Sequence, residues 1–181
     1  MTKGPPPEFQ AELTSLLPNL RAFARSLTRS SDQADDLVQE ALVKAWRNWQ
    51  QFAPGSNLKA WLFTILRNAY LSERRKLKNE VQDVDGELAS QLSVKAEQHG
   101  HMDALDFQSA FEKLLPEHKE ALVLIGAEGF SYEEAALMCG CAVGTMKSRV
   151  NRARNKLAEI MGIDSAAEIG AGTPTNVRVA G

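Results

Sequence analysis

Phe130 to Leu157, FSYEEAALMCGCAVGTMKSRVNRARNKL, reads as two short helices joined by a tight turn. Ser131 stands where it can cap the first helix, and Glu134, three residues on, can reach back to complete a capping box. Tyr132, Ala135, Ala136 and Met138 supply an apolar stripe. Gly140 ends it, because glycine enters the left-handed conformation without steric cost. A second helix restarts near Ala142, with Val143, Met146, Val150, Ala153 and Leu157 recurring at helical spacing on a buried face. Its other face carries Thr145, Lys147, Ser148, Asn151, Arg152 and Asn155, flanked by Arg149, Arg154 and Lys156. Two helices meeting across a glycine turn, the second basic with small polar residues early in it, describe a helix-turn-helix. Its second helix is then suited to a major groove. An amphipathic hairpin with a solvated basic face would show the same pattern, so the rest of the chain must decide.

The 181 residues suffice for one moderate core or two small ones, and the formal net charge of -2 gives no hint of a polyanionic partner. The distribution of charge does. Residues 57–79 carry a net +5 and residues 147–161 a net +4, whereas residues 80–106 between them carry -6. Phosphate binding depends on local cation density, because each neutralised phosphate releases condensed counterions. Two basic helices can therefore bind DNA in a mildly acidic protein, with an acidic spacer that stays off the duplex. No apolar run reaches the length of a membrane span and MTKGPPPEF does not resemble a signal peptide, so a cytoplasmic protein is expected.

Taken from the start, residues 1–7 read as a disordered Pro-rich lead-in, and Glu8–Leu17 and Pro18–Leu27 as helical turns. Ser31 or Asp32 then caps a helix whose broad apolar face comprises Leu37, Val38, Ala41, Leu42, Ala45, Trp46 and Trp49. Asp35, Asp36, Gln39, Glu40, Lys44 and Arg47 spread over its remaining surface. Nothing nearby makes those carboxylates catalytic, which leaves a solvated face or a docking surface for another protein. FAPGSN breaks the chain, and NLKAWLFTILRNAYLSERRKLK forms a second basic helix with Leu58, Trp61, Leu62, Ile65, Leu66 and Leu71 toward the core. Arg67, Asn68, Tyr70, Arg74 and Arg75 decorate its other side. Rings beside cations are what single-stranded DNA binding uses, since bases stack on rings while cations follow the backbone. Packing explains Trp61 more simply, and Tyr70 fits either role.

Residues 80–105 lack periodicity and read as a linker, with a transient helix around Gly86–Ser93. From Asp106 a helix resumes with the stripe Phe107, Ala110, Phe111, Leu114 and Leu115. Pro116 starts another, with Ala121, Leu122, Leu124 and Ile125 packing beneath the helix-turn-helix. Residues 162–181 read as a loose tail. Cys139 and Cys141 read as small buried residues of the helix turn; a zinc site shared with His99 and His101 would have non-standard spacing, so no metal or cofactor is expected. No nucleophile with its base and no phosphate-binding glycine loop is present either, and no enzyme is expected.

An all-α chain with two small helical domains and two basic helices, one aromatic and one in a helix-turn-helix, resembles the extracytoplasmic-function (group IV) sigma factors of bacterial RNA polymerase. DDLVQEALVKAWRN is similar to their region 2.2, NLKAWLFTILRNAYLSERRK to regions 2.3 and 2.4, and YEEAALMCGCAVGTMKSRVNRARNKL to region 4.2. LRAFARSLT, GSNLKAWLFTILRN and EVQDVDG look closest to the general-stress-response (EcfG-like) subgroup, whose members are held inactive by a small helical anti-sigma protein. The resemblance implies a region 2 domain over residues 8–79, an acidic flexible linker over 80–105 and a region 4 domain over 106–161. It implies that Asp35, Asp36, Gln39, Glu40 and Arg47 face the clamp helices of the polymerase β′ subunit, with the β subunit as a further contact. Lys59, Arg67, Asn68, Tyr70, Arg74 and Arg75 would bind or melt the -10 element, and Thr145, Lys147, Ser148, Arg149, Asn151 and Arg152 would read the -35 element. Ala142 departs from the family, where many relatives have a hydroxyl cap or proline. A sigma mimic that sequesters an anti-sigma protein would not need the basic 147–156 helix and would carry a fused receiver domain. An ordinary helix-turn-helix regulator would not need the aromatic, basic helix at 57–79.

Overall fold

The computed structural model describes residues 4–28, 30–82 and 104–162. Every regular element among them is helical, in agreement with the all-α expectation, and the chain divides into two compact units, Met1–Met102 and Asp103–Gly181.

The first unit contains α1 (Pro7–Ser15), α2 (Leu17–Leu27), α3 (Ser31–Arg47) and α4 (Leu58–Gln82), with a short 3-10 turn at Trp49–Gln51. Its core lies where α2, α3 and α4 meet. Leu20, Phe23 and Ala24 come from α2, Leu37 and Val38 from α3, and Leu58, Leu62, Phe63, Leu66 and Ala69 from α4. Phe23 and Phe63 stack with centroids 4.8 Å apart. Ala34, Ala41 and Ala45 of α3 are buried as well. Each fully buried Leu or Phe contributes about 1.5–3 kcal/mol relative to exposure. A second aromatic group sits beside this core: Phe52 and Trp61 lie 5.5 Å apart, and Phe9 of α1 stands 5.9 Å from Phe52 and 6.2 Å from Trp61. Trp61 is thus a packing residue, as expected.

Several local expectations change. Residues 4–7 belong to the fold: Pro5 is buried, its carbonyl accepts a hydrogen bond from Gln10 Nε2 at 2.8 Å, and Pro7 begins α1. Ser30, not Ser31 or Asp32, caps α3 by accepting from the Gln33 N–H at 3.1 Å. Ser30 has the extended backbone (φ -133°, ψ 155°) that a capping residue needs. Trp46 is 47% exposed rather than buried. α4 continues to Gln82, because residues 79–82 contain no Gly or Pro to stop it. Residues 80–82 are therefore helix rather than linker, as are Ala104 and Leu105 at the start of α5; the rest of the expected linker, the transient helix at Gly86–Ser93, and residues 163–181 of the tail lie outside the described residues.

The second unit contains α5 (Ala104–Glu112), α6 (Pro116–Leu122), α7 (Tyr132–Cys139) and α8 (Val143–Met161). Met146, Val150, Ala153 and Leu157 form the buried face of α8. At one end, Ala153 and Leu157 cluster with Ala110 and Leu114 of the α5 segment, and Phe111, Leu122, Ile160 and Met161 close around them. The stripe expected on α5 is only partly buried. Phe107 is 43% exposed, and Leu115, beyond the end of α5, is 55% exposed as the residue preceding α6. α6 passes into a π-turn at Val123–Ala127, where the Glu128 N–H reaches the Val123 carbonyl at 2.9 Å. Buried Phe130 then leads into α7. The capping box is present in full: Ser131 Oγ accepts from the Glu134 N–H at 3.1 Å, and Glu134 Oε2 accepts from the Ser131 N–H at 2.9 Å. Gly140 ends α7 in the left-handed conformation at φ 62°.

Candidate nucleic-acid interfaces

α8 presents the sequence-predicted residues in a definite order. At about 3.6 residues per turn, Ser148, Asn151, Arg152 and Asn155 run down the centre of its outward face, opposite the buried Met146, Val150, Ala153 and Leu157. Gly144 begins that line, Thr145 stands beside it, and Lys147 and Arg149 lie on opposite flanks. Thr145, Lys147, Asn151 and Arg152 are exposed, whereas Ser148 and Arg149 are half-buried. Lys147 Nζ sits 5.7 Å from the centroid of the Tyr132 ring on α7, and Arg149 Nη1 lies 4.0 Å from Cys141 Sγ. Arg154 turns partly inward, with its Nε buried and without a hydrogen-bond partner among the described residues. Lys156 pairs with Glu159 at 2.9 Å. A polar centre between two flanking cations can put hydrogen-bonding groups on base edges while ammonium and guanidinium groups meet the phosphates on either side. The N-cap Ala142 makes no side-chain hydrogen bond, so α8 does begin without a capping side chain.

α4 is built differently. Lys59, Arg67, Tyr70 and Arg74 share one edge of the helix, and Asn68 and Arg75 form a second row that is fully exposed. The first row borders the core, so Lys59, Arg67 and Tyr70 are half-buried. Lys59 Nζ is 5.7 Å from the Phe63 centroid and Arg74 Cζ is 5.7 Å from the Tyr70 centroid. Tyr70 therefore neither fills the core nor stands free; it is a half-buried ring with a cation over it. Rings and cations interleaved along one edge suit a strand lying across the helix better than a helix inserted in a groove.

On α3, Asp35, Asp36, Gln39, Glu40 and Arg47 are all exposed. Asp35 approaches Arg21 of α2 at 3.9 Å, and Glu40 pairs with Lys44 at 2.6 Å. Sequence reading missed the apolar part of this surface. Val43 is 48% exposed and Trp46 47%. Val43 stands one turn from Gln39, Glu40 and Arg47, in the middle of the polar residues, and Trp46 borders it. An apolar centre with a polar rim, anchored by a tryptophan, is how protein–protein interfaces are composed. The signal was available in principle, since Val43 breaks the pattern of an otherwise polar face.

Cys139 is buried and Cys141 half-buried, neither in a disulfide among the described residues, while His99 and His101 lie outside the described residues. Among the described residues no group of three or more potential ligands could hold a metal, and no helix is long and apolar enough to cross a membrane.

The sequence matches the Sigma-70 region 2 family over residues 13–80 and the Sigma-70, region 4 family over residues 104–157. It is 52% identical over 159 residues to the ECF RNA polymerase sigma factor EcfG of Rhodopseudomonas palustris, covering 88% of each chain. It is 33% identical over 126 residues to the ECF RNA polymerase sigma factor SigC of Mycobacterium tuberculosis, covering 68% of each. In fold it is similar to the sigma factor RpoE of Bartonella quintana, solved in complex with the anti-sigma factor NepR. There the TM-score is 0.75 and the identity 52%, over 87% of this chain and 99% of that one. With both sigma regions matched and half of the residues shared with EcfG along most of the chain, the protein belongs to the extracytoplasmic-function sigma factors of RNA polymerase, in their EcfG-like subgroup.

Proposed function

We propose that this chain binds core RNA polymerase and directs initiation at stress-response promoters, with a division of labour among three helices. α3 docks on the β′ clamp helices through Asp35, Asp36, Gln39, Glu40 and Arg47, and Val43 and Trp46 supply the apolar centre of that contact. α4 binds the -10 element through Lys59, Arg67, Asn68, Tyr70, Arg74 and Arg75. Melting requires a surface that prefers splayed bases to paired ones, so capture of an unstacked base pulls strand opening forward. α8 reads the -35 element: Lys147 and Arg149 set register on phosphates, and Thr145, Ser148, Asn151 and Arg152 reach base edges. The region 2 functions belong to residues 8–79 and the region 4 functions to residues 106–161. The family is non-enzymatic in general, and we assign this chain no reaction or cofactor of its own; it works in the cytoplasm, where the polymerase supplies the chemistry.

The observation that carries this reading is the outward face of α8, where Ser148, Asn151, Arg152 and Asn155 form a polar line with Lys147 and Arg149 on its flanks. Control by a small anti-sigma protein is supported by the Bartonella sigma factor, which was solved with NepR bound and shares 52% identity with this chain. Transcription in vitro with purified core polymerase on a promoter library tests the function directly. The expected result is start-site selection from templates sharing two sequence blocks at -35 and -10, absent with core polymerase alone. Failure to confer start-site choice at any salt concentration, with a preparation shown to be free of bound inhibitor, overturns it.

A further inference from the structure

The chain has two tyrosines, Tyr70 on α4 and Tyr132 on α7, and each has a cation over its ring. The cations are Arg74 and Lys147, both members of the proposed DNA surfaces, at the same 5.7 Å from the ring centroid. Among the described residues neither makes an ion pair. Three other cations are held by carboxylates instead: Lys44 pairs with Glu40, Lys156 with Glu159, and Arg21 with Asp35. A carboxylate would hold a cation in place while cancelling the charge that a phosphate needs. An aromatic face attracts it through the ring quadrupole, restricts a long side chain with much rotamer entropy to lose, and leaves its charge intact.

Tyr132 is well placed for this. It is the first residue of α7, directly after the doubly bonded Ser131–Glu134 capping box, so its backbone is fixed. Glu134, the nearby carboxylate that might have competed for Lys147, has Oε2 committed to the Ser131 N–H. Tyr70 lies one turn before Arg74 on the same helix and is half-buried, so its ring is held by the core edge while Arg74 stays exposed. Lys119 lies 5.8 Å from the Phe111 centroid, so the contact as such is not confined to the DNA surfaces. Lys59 of the -10 surface likewise lies 5.7 Å from the Phe63 centroid, but that ring is in the core; in the two tyrosine pairs the ring is half-buried at the surface and the exposed cation has no carboxylate partner among the described residues.

We infer that Tyr70 and Tyr132 are positioning residues that hold Arg74 and Lys147 in place, still charged, for phosphates of the -10 and -35 elements. This rests on the DNA-binding reading above and assigns the tyrosines a role in it that packing alone does not require.

The test is a double-mutant cycle at each pair, read as affinity of the polymerase holoenzyme for a promoter recovered from the library selection, over a range of salt. Lys147→Ala and Arg74→Ala should each lower the slope of log affinity against log salt by about one phosphate. Tyr132→Leu and Tyr70→Leu should weaken binding by about two- to fivefold, the effect of losing an exposed cation–π contact. In the Lys147→Ala background Tyr132→Leu should add nothing; in the Arg74→Ala background Tyr70→Leu should cost less than it does in the parent, leaving only what the ring contributes by stacking on a base. Tyr132→Phe keeps the ring and should bind as the parent does. Tyr132→Glu should lower the salt slope as Lys147→Ala does, because it holds the cation but neutralises it. If Lys147→Ala and Arg74→Ala leave affinity and slope unchanged, the DNA surfaces themselves are misassigned. If those variants bind weakly but Tyr132→Leu adds in full to Lys147→Ala, or Tyr70→Leu costs as much without Arg74 as with it, the tyrosines do not hold the cations and the inference fails. Loss of affinity in Tyr132→Phe would assign the work to the hydroxyl and overturn it equally.

Discussion

α4 and α8 are both basic helices proposed to hold DNA, yet they keep their cations in different places. On α8, Lys147 and Arg149 flank a polar line of Ser148, Asn151, Arg152 and Asn155 that lies opposite the buried face. On α4 half of the chosen residues lie at the edge of the core, beside Phe63 and Tyr70. The first arrangement offers a narrow ridge, the second a shallow surface lined with rings. A ridge fits between the walls of a groove, and a ringed surface fits unstacked bases with their backbone alongside. Local net charge, +5 for residues 57–79 and +4 for 147–161, does not separate them; the rings on the helix itself do, since α4 carries Phe63 and Tyr70 beside its cations and α8 has no aromatic residue.

The largest effect that would test the contrast concerns the two folding units themselves. Phe63→Ala removes a ring stacked at 4.8 Å on Phe23 and should destabilise the first unit by about 3–5 kcal/mol, leaving the second unit's unfolding transition in place. Calorimetry of the full chain would show it, and loss of both transitions together would mean that α4 and α8 belong to one cooperative structure. Next comes Arg149→Ala with Arg152→Ala, one flank and one central residue of the ridge. At about 1–3 kcal/mol per lost contact, promoter-directed transcription should fall at least tenfold, while core polymerase binding stays as it was. Equal loss of polymerase binding would break the separation between reading and docking. Trp46→Ala should do the reverse: core association weakened by about 2 kcal/mol or more, with the isolated -35 contact of the second unit unaffected. Asp36→Arg with Glu40→Arg should act in the same direction, as the rim of the same surface. Unchanged core affinity in both would remove α3 from the docking face.

The contrast also marks what could be read from sequence. The capping box at Ser131 and Glu134, the stop at Gly140 and the uncapped start at Ala142 were legible, because each is decided within a few residues by backbone chemistry. The α8 face was legible because a helix buried along one side keeps its period. α3 was not: its apolar residues cover too wide an arc for period to say which are buried, and tertiary contact left Val43 and Trp46 outside. Phe63 escaped for a related reason. It follows Leu62 directly, and only a helix packed against both α2 and α3 buries two such neighbours. The π-turn at Val123–Ala127 carries no local signature at all. Phe107 and Leu115 share the apolar character of Leu114, and the end of α5 at Glu112 turns Leu115 outward.

The smallest effect makes the sharpest distinction between the two helices, because it changes sign between stability and binding. Gly144 lies in the first turn of α8 with ordinary backbone angles, and an added Cβ there would meet no atom within 4 Å. The fold therefore gives no reason for glycine, unlike Gly140, whose φ of 62° requires it. Gly144→Ala should stabilise the second unit by up to about 0.5–1 kcal/mol, since alanine is the better helix former. If the ridge approaches bases as closely as its short side chains suggest, the same methyl group stands between α8 and the duplex, and affinity for the -35 element should fall. A parallel measurement of Tm and of -35 duplex binding decides it. A rise in both would mean that the first turn of α8 stays clear of the DNA and that contact begins farther along, at Ser148 and Asn151.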